Sequence, residues 1–522
     1  MSSALHPRDL LDRQLGRVTM YRLVTIVLVV LAVVMVAHTA AGTFTDPFTV
    51  QAELITFVVL VVASVVSSRL IGLAFRVRPH TESAVITGLL LWFMFWPSTE
   101  VDDLAWLAGA ALLANASKYV FAWRGRHVLN PAAAGAVLVI IAQDWAGRES
   151  PINATWWIAA ERLLPFVAVG ALLVLWRTRR LDVGLVFVAV AYGLCVWGMT
   201  EGFGAPLEDS LKTVAYSFPI VFMAGFMVSE PLTLPPRRVQ QLVVAVVVAV
   251  CLSYGTFMSI FEQVPPSVGV VSLALPEVAL LVGNLVAFAF ARRRGLTFEL
   301  EQTRQLSPET HELTFRSRRR VPFKPGQYVE LTVPHAGMDS RGARRTFSIS
   351  SPPDDDGRVA FALRVPEKSS SFKRALLALE PGDAVHGTGI GGDFVWPADP
   401  DVPLLLVAGG IGITPFLSQL RHEGARDAVL VYGASSPTEV PFTEELAGAR
   451  VVLVCPERPA ALPDGWSYVE APFLSAEIIA ETVPDLERRR AYVSGPPAMV
   501  NAVRAGLRKR CVSLKTDYFS GY

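Results

Sequence analysis

Residues 403–415 read Pro403-Leu-Leu-Leu-Val-Ala-Gly-Gly-Ile-Gly-Ile-Thr-Pro415. An apolar run of this length that ends in glycines is typical of a buried strand followed by a tight turn. Gly409, Gly410 and Gly412 let the backbone approach a ligand closely. Pro415 suits the first turn of a helix, which we predict over Phe416–His422. Together these elements present backbone N–H groups to a pyrophosphate, although a purely structural turn is the alternative.

Further apolar runs follow the glycine turn and alternate with helical stretches. They are Ala428–Tyr432, Val451–Cys455 and Ala491–Ser494. Strands that alternate with helices form parallel sheets. We therefore predict one α/β domain over residues 401–522.

Residues 296–400 carry strand signals separated by Gly/Pro turns. This pattern predicts a small antiparallel β-barrel. The predicted strands are Thr297–Leu300, Glu312–Arg316, Gln327–Val333, Arg345–Ile349 and Val359–Val365.

The first part of the chain, residues 20–295, alternates long apolar runs with short polar breaks. A membrane span needs about 20 apolar residues. We predict about ten spans, near 20–40, 53–73, 83–97, 104–122, 130–145, 157–176, 183–200, 213–229, 240–261 and 274–291. Every second break is rich in arginine and lysine, which face the cytoplasm. Both termini, the N-terminal segment 1–19 and the C-terminal half are therefore predicted on the cytoplasmic side of an inner or plasma membrane.

Composition narrows the function classes. The 522 residues are 52% hydrophobic and 18% charged, which argues against a fully soluble protein. The net charge is +1, so no electrostatic case exists for nucleic-acid binding. Four scattered cysteines argue against a disulfide scaffold or a metal site built from cysteine pairs, and we predict no metal site.

Polar residues and prolines interrupt the predicted spans. The interruptions lie at comparable places in the first five spans and in the second five spans. Asn130–Pro131 opens the fifth span, and Ser229–Glu230–Pro231 closes the eighth; Asn115 and Lys118 lie near the end of the fourth. Free backbone groups cannot face lipid, so broken helices that line a cavity are expected. The spacing predicts two structural repeats, with ordinary loop punctuation as the alternative.

Four segments in this region resemble the RnfD/NqrB family of flavin-carrying membrane subunits. They are Glu82–Leu91, Lys118-Tyr-Val-Phe, Arg126-His-Val-Leu-Asn-Pro-Ala-Ala-Ala-Gly135 and Phe222-Met-Ala-Gly-Phe-Met-Val-Ser-Glu-Pro-Leu-Thr233. The resemblance implies ten helices in two repeats and electron passage through a membrane flavin. The family's Ser-Gly-Ala-Thr attachment motif is missing, and its nearest echo is Asn153-Ala-Thr155. We therefore favour a noncovalent second flavin, FMN or riboflavin, or a quinone.

Three motifs in the C-terminal half resemble the ferredoxin–NADP reductase superfamily. They are Arg345-Thr-Phe-Ser348, Gly409–Pro415 and Ser494-Gly-Pro-Pro-Ala-Met499. The resemblance implies that the barrel binds FAD and that the α/β domain binds NAD(P)H.

The resemblance also implies roles for single residues. Arg345 would pair with a flavin phosphate, Phe347 would pack on the isoalloxazine, and Ser348 would hydrogen-bond near N5. Ser494 would contact the nicotinamide, and the terminal Tyr522, with Phe519 as runner-up, would cover the flavin. Ser348, Ser494 and Tyr522 are thus the candidate catalytic residues. The remaining cofactor-binding candidates are Gln327, Tyr328, Thr346, Arg364, Val365, Ser370, Ser371, Gly409, Gly410, Gly412, Thr414, Pro415, Gly495, Pro496 and Pro497.

Charge after the second strand of the α/β domain bears on the choice between NADH and NADPH. A 2′-phosphate usually meets an arginine there. Residues 432–439 contain no arginine and end in Glu439, although Arg458 follows the next strand. The sequence therefore favours NADH.

Taken together, the motifs predict a membrane oxidoreductase that passes electrons from cytoplasmic NAD(P)H through FAD into or across the membrane. The acceptor would be a membrane flavin or quinone, or an extracytoplasmic flavoprotein. The alternatives are an NAD(P)H:quinone reductase that ends at the membrane pool, a haem-type ferric reductase or oxidase, and a transporter with a regulatory reductase domain. Haem would require paired inward histidines, whereas His38, His80 and His127 do not form such a pattern.

Overall fold

The computed structural model describes residues 20–75, 79–123, 126–291, 295–335, 339, 343–354, 356–423 and 426–519. The chain forms two compact units, one within Val18–Arg293 and one that contains Arg294–Tyr522. The first unit is helical. The second contains two six-stranded sheets.

The helical unit contains helices separated by short turns. In chain order they are α1 (Met20–Ala40), α2 (Val50–Ala74), α3 (Thr81–Met94), α4 (Val101–Val120), α5 (Pro131–Trp145), α6 (Leu164–Arg177), α7 (Leu181–Phe203), α8 (Leu207–Ser217), α9 (Ile220–Met223), α10 (Arg238–Leu252), α11 (Tyr254–Ser259) and α12 (Pro276–Ala291). A π-helical turn, Ala224–Val228, extends α9. Each of the ten apolar segments predicted from the sequence contains a helix.

Length and hydropathy together select the helices that could cross a membrane. Among the described residues, α1, α2 and α7 are long and apolar enough to cross a membrane, and the pair α8–α9, bent by 45°, makes a fourth candidate if it counts as one span. The other apolar helices have 10–17 residues. The count of ten spans therefore stays a prediction.

Small residues let helices of this unit approach closely. A Cβ on Gly135 of α5 would lie 2.5 Å from the Ala114 Cβ and 2.7 Å from the Ala110 carbonyl oxygen on α4. Gly225 meets Ala171 on α6 in the same way. Gly193 of α7, by contrast, faces open space.

The barrel sheet of the second unit is antiparallel throughout. Its strands are β1 (Gly295–Gln305), β2 (Thr310–Ser317), β3 (Tyr328–Thr332), β4 (Arg344–Ser348), β5 (Arg358–Arg364) and β6 (Ala384–Gly391), in the order β4-β3-β6-β1-β2-β5. The five predicted strands are confirmed, and β6 was missed. A short helix, α13 (Ser371–Leu377), crosses between β5 and β6. Phe298, Phe315 and Phe361 pack ring to ring in the core.

The second sheet is parallel, as predicted. Its strands are β7 (Leu404–Gly409), β8 (Ala428–Gly433), β9 (Arg450–Cys455), β10 (Trp466–Glu470), β11 (Arg490–Gly495) and β12 (Ser513–Tyr518), in the order β10-β9-β8-β7-β11-β12. The helices are α14 (Thr414–His422), α15 (Ala476–Thr482) and α16 (Pro497–Leu507). Apolar cores cover both faces, as parallel sheets require. The sequence missed β10 and β12, and α14 begins two residues before the predicted start.

Replacing Gly135 with valine tests the close packing of α4 on α5. We expect a loss of about 1–3 kcal/mol in stability, because the added atoms meet backbone that cannot move aside easily. Gly193→Val is the matched control, since its side chain would enter open space. Thermal unfolding of the detergent-solubilised protein measures both. Equal melting temperatures for the two variants would contradict the packing argument.

Candidate functional site

The glycine turn lies where the strand order of the parallel sheet reverses. The chain leaves β7 for β8 on one side, and β11 pairs with β7 on the other. Ligands of open α/β sheets bind in the crevice at such a reversal, beyond the carboxyl ends of the strands. Gly409 ends β7 and Gly495 ends β11, so both turns open into the same crevice.

The three glycines of the turn have different tasks. A Cβ on Gly412 would lie 2.7 Å from the Gly495 Cα and against the Ser494 carbonyl, and one on Gly409 would press into Met499. These two glycines permit chain-to-chain packing. Gly410 has a φ of +52° and nothing within 4 Å of its Cβ direction. It therefore supplies a left-handed backbone conformation beside open space.

A narrow cleft begins at Gly410. It is lined by Ile411, by Ser435 and Glu439 after β8, and by Arg364 at the end of β5. The Arg364 Nε donates to Glu309 at 2.7 Å and lies 4.0 Å from the Glu439 carboxylate. The cleft thus combines an open backbone turn with one acidic and one basic side chain.

Ser494 has a fully buried side chain. Its hydroxyl finds no hydrogen-bond partner among the described residues. A buried hydroxyl without a partner is costly, so a bound group that accepts or donates a hydrogen bond there would be stabilised. The Ser494 backbone carbonyl lies against the turn residue Gly412, so the third motif packs on the glycine turn.

Asp517 of β12 is the register partner of Ser494. Desolvation by burial raises the pKa of this carboxyl to about 6, and the nearby Asp393 adds to the rise. The sequence motifs gave no signal for Asp517. Only the pairing of β12 with β11 brings it beside the crevice.

The strand β4 carries the arginine motif. Arg345 is 9% exposed, and its guanidinium lies over the Phe372 ring, 5.2 Å from the centroid. Phe347 stacks on the same Phe372 ring at 5.9 Å. Because side chains alternate along a strand, Arg345 and Phe347 share one face, whereas Thr346 is exposed on the other. Phe372 is therefore the shared support of the motif, and sequence reasoning missed it.

The first turn of α13 lies beside Arg345. Ser370 caps α13 by accepting from the Lys373 amide, and Ser371 accepts from the Asp339 amide at 3.0 Å. The Asp339 carboxylate in turn lies 3.4 Å from the Arg345 guanidinium. Asp339 thus links Ser371 to Arg345, and Ser370 directly precedes Ser371. A shared phosphate site at these residues stays a prediction.

Other predicted barrel residues have different surroundings. Gln327 accepts from the Lys324 amide at 2.8 Å and donates to the Gly392 carbonyl at 3.1 Å, which holds the loop before β3. The Tyr328 ring packs on Gly392. Ser348 ends β4 with a buried side chain. Arg364 lines the cleft at Gly410, and Val365 packs on the barrel core. The roles of both residues in cofactor binding stay predictions.

The remaining predicted residues lie at helix starts or at the chain end. Thr414 and Pro415 form the first turn of α14, and Pro497 begins α16 with Pro496 as its N-cap. The Phe519 amide donates to the Gly495 carbonyl at 2.9 Å, so Phe519 lies beside the third motif. Tyr522 lies outside the described residues.

In the helical unit the polar motif residues converge. The His127 Nε2 and the Glu230 carboxylate are 3.2 Å apart, and the Asn130 amide donates to the same carboxylate at 3.2 Å. Arg126 donates to the Pro231 carbonyl at 3.1 Å. Lys118 donates to Ser83 of the Glu82–Leu91 segment at 3.3 Å. These residues, Lys118, Arg126, His127, Asn130 and Glu230, form the polar junction of the helical unit.

The other histidines and Thr155 have separate neighbours. His38 lies 3.3 Å from the Thr43 hydroxyl, and His80 caps α3 by accepting from the Ser83 amide. Thr155 is exposed, and its hydroxyl donates to the Met94 carbonyl at 3.3 Å. Among the described residues, no group of three or more His, Cys, Asp or Glu is arranged to hold a metal ion.

The barrel with its buried arginine and the parallel sheet with its glycine turn define a class, the two-domain flavin reductases that use a pyridine nucleotide. Residues 406–505 match the oxidoreductase NAD-binding domain family. The chain is 30% identical to ferredoxin–NADP reductase B of Sorangium cellulosum over 38% of this chain and 81% of that protein. It therefore belongs to the ferredoxin–NADP reductase family, whose members are NAD(P)H-dependent flavin oxidoreductases that transfer electrons.

Two further relatives are components of larger systems. The toluate 1,2-dioxygenase electron transfer component of Pseudomonas putida is 30% identical over 44% of this chain and 68% of its own length. The aromatic O-demethylase reductase subunit of an Amycolatopsis species is 29% identical over 42% of this chain. The chain spans 66% of the length of that subunit. None of these matches extends over the whole chain.

The residues present fit FAD and NAD(P)H. A bound FAD would supply the chemistry of hydride acceptance and of one-electron transfer. Arg345 offers a planar fork for a phosphate. The Ser494 hydroxyl, which has no partner among the described residues, is the predicted contact of the carboxamide. The Gly410 backbone, which lies beside open space, is the predicted contact of the pyrophosphate. The chain's task is to hold the two reacting rings together and exclude water, which needs no acid–base residue.

Replacing Arg345 with alanine tests the flavin site. We expect FAD to bind about 10- to 100-fold more weakly, because a hydrogen bond to a charged group contributes about 1.5–3 kcal/mol. Flavin content after gel filtration measures the loss. Arg316→Ala is the control, since Arg316 is an arginine of the same barrel that pairs with Glu301. Retention of FAD in Arg345→Ala at the wild-type level would remove Arg345 from the site.

Replacing Gly410 with alanine tests the nucleotide turn. A left-handed alanine costs about 1–2 kcal/mol, so we expect roughly tenfold weaker NAD(P)H binding with FAD retained. Gly448→Ala is the matched control, because Gly448 also has a positive φ, +81°, and open space but lies outside the cleft. Titration with nucleotide measures both variants. Equal affinities would show that the turn does not bind NAD(P)H.

Asp517 predicts a pH dependence of stability. Its folded pKa is raised from 3.8 to about 6, so the folded protein holds this proton more tightly than the unfolded chain. The contribution is fully present below about pH 4 and is lost as pH rises through about 6. At pH 7, Asp517→Asn should therefore have a higher melting temperature than the wild-type protein. At pH 4, the difference in melting temperature between the two proteins should be smaller. An unchanged difference across this range would contradict the raised pKa.

Proposed function

We propose that this chain is a membrane oxidoreductase that carries electrons from cytoplasmic NAD(P)H, through FAD, into or across the membrane. The observation that carries the proposal is the joining of two units in one chain. One unit has the FAD and NAD(P)H domains of the reductase family, and the other contains apolar helices long enough to cross a membrane. A covalent link raises the effective concentration of donor near acceptor.

We also propose that the helical unit is RnfD/NqrB-like and holds the next carrier, either a second flavin (FMN or riboflavin) or a quinone. The convergence of the Lys118, Arg126–Asn130 and Glu230 segments supports this, since motifs that form one site are expected to meet. An intramembrane group of charged residues is a functional-site hypothesis by default. The final acceptor would be the quinone pool or an extracytoplasmic flavoprotein.

For the nucleotide, we propose NADH. Glu439 lies in the cleft beside Gly410, where its carboxylate would repel a 2′-phosphate, and Arg458 is exposed after β9. The Arg364 side chain in the same cleft is already paired with Glu309.

Glu439→Gln should improve use of NADPH relative to NADH roughly three- to tenfold, because removal of one like charge near a partly exposed phosphate is worth about 1 kcal/mol. Steady-state kinetics with both nucleotides and an artificial acceptor measure the ratio. Glu444→Gln, an exposed change nearby, is the control. A wild-type preference for NADPH, or no change in the ratio, would contradict the assignment.

The test of the function is cofactor extraction from the purified, detergent-solubilised protein, with absorption spectra before and after NADH under anaerobic conditions. Two flavins per chain, both bleached by NADH, would support the membrane electron path. One FAD whose electrons pass to added quinone would favour the quinone reductase. A haem band would overturn the flavin or quinone assignment of the helical unit, and an FAD that NADH does not reduce would overturn the reductase assignment.

A further inference from the structure

We propose that Arg421 is a positioning residue for hydride transfer, which fixes the nucleotide turn against the flavin strand. The proposal rests on the reductase activity and concerns α14, whose first residues belong to the glycine motif. The polar side chains of α14 reach out of the parallel-sheet domain into the barrel. It therefore acts as a bridge between the domain that holds the nucleotide and the domain that holds FAD.

Two contacts fix α14 to the segment that follows β4 of the barrel, and a third joins α14 to the segment between β6 and β7. The Arg421 guanidinium donates to the Ser350 carbonyl at 3.1 Å, and the Ser418 hydroxyl donates to the Ser351 carbonyl at 2.7 Å. The Gln419 side-chain amide donates to the Phe394 carbonyl at 2.7 Å. Ser418 and Gln419 are fully or almost fully buried, so these bonds are shielded from competing water.

The accepting residues continue the flavin strand directly. Ser350 and Ser351 follow β4, whose last residue is Ser348, the predicted contact of flavin N5. Two residues of extended chain span about 7 Å. A contact to Ser350 therefore controls the position of Ser348 through two rigid peptide units. At its other end, α14 begins at Thr414, directly after the turn Gly410–Ile413.

Arg421 is itself held by a ring of charges that crosses the domain boundary. Glu312 of β2 lies 3.5 Å from the Arg421 guanidinium and accepts from the Ser350 hydroxyl at 3.1 Å. Glu445 of the second domain lies 3.5 Å from Arg421 and 2.5 Å from Arg304 of β1. Arg304 closes the ring on Glu312 at 3.1 Å. The Arg421 guanidinium also lies 5.4 Å from the centroid of the Phe442 ring.

This ring of charges affects the relative position of the two domains more than the stability of the fold. The Arg304 side chain is 42% exposed, and those of Arg421 and Glu445 are partly exposed. Partly exposed ion pairs contribute little to stability. Hydride transfer, by contrast, is sensitive to distance, and a misplacement of about 1 Å can cost about 100-fold in rate. The Arg421 guanidinium joins α14 to the Ser350 carbonyl, which lies just after β4. It therefore affects the distance between the two reacting rings.

The test uses the full-length, detergent-solubilised protein and the pair Arg421→Lys and Arg489→Lys. Lysine keeps the positive charge at position 421. It lacks the planar guanidinium that contacts the Ser350 carbonyl and the carboxylates of Glu312 and Glu445 at the same time. Arg489 is a control of the same residue type, because it also makes several hydrogen bonds, with partners Leu404, Asp427 and Asp485 inside the parallel-sheet domain. Ser418→Ala removes a second bridge contact independently.

The measurement is anaerobic stopped-flow reduction of FAD by NADH and by NADH with deuterium at C4. For Arg421→Lys we expect wild-type FAD content and a nucleotide Kd within about threefold of wild type. The limiting rate of FAD reduction should be at least about tenfold lower, and this rate should show a deuterium isotope effect. Ser418→Ala should slow the same step less, and Arg489→Lys should leave it unchanged.

Several outcomes would overturn the proposal. An unchanged limiting rate in Arg421→Lys, an equal slowing in Arg489→Lys, or loss of FAD from Arg421→Lys would each show that Arg421 does not position the hydride step. A wild-type protein whose FAD is not reduced by NADH would instead remove the reductase function on which the proposal depends.

Discussion

Backbone packing between two parallel strands organises the reductase half of this protein. The turn at Gly412 lies against Ser494 and Gly495, with no room for a side chain between them. This contact joins the strand that begins the nucleotide motif to the strand that ends with the third motif. Because the strand order reverses there, both ends open into one crevice, and the remaining site residues are placed relative to it.

The barrel contributes a second rigid element. Arg345 and Phe347 both rest on Phe372, whose own position depends on α13 packing into the phenylalanine core. A cation and an aromatic ring supported by one buried residue form a preorganised surface, and preorganisation is what a protein can add to chemistry performed by its cofactors. Helix α14 relates this surface to the crevice, since its side chains bond to carbonyl groups just beyond β4.

The helical unit follows different physical rules. Its helices approach through Gly135 and Gly225, where helix backbones can come close. At the polar junction, by contrast, histidine, asparagine and glutamate side chains from different helix breaks contact one another. The concentration of polar contacts at two helix breaks agrees with broken helices that bury their free backbone groups within protein.

Local sequence patterns predicted many of the strands and helices. Apolar runs and glycines predicted β7, its turn and the parallel sheet, and alternation predicted five strands of the barrel, because these signals depend only on neighbouring residues. Hydrophobic runs likewise predicted ten apolar segments in the first unit, and each of them contains a helix. The strands β6, β10 and β12 were missed, since weakly apolar strands are stabilised by their partners and not by their own residues.

The tertiary structure alone decided which distant residues meet. It placed Phe372 under Arg345, Asp517 beside Ser494, and Arg364 in the cleft at Gly410. It also joined Arg304, Glu312, Arg421 and Glu445, which lie up to 141 residues apart, into one ring. Contacts of this kind depend on sheet order and strand register, and a linear pattern carries no direct record of either.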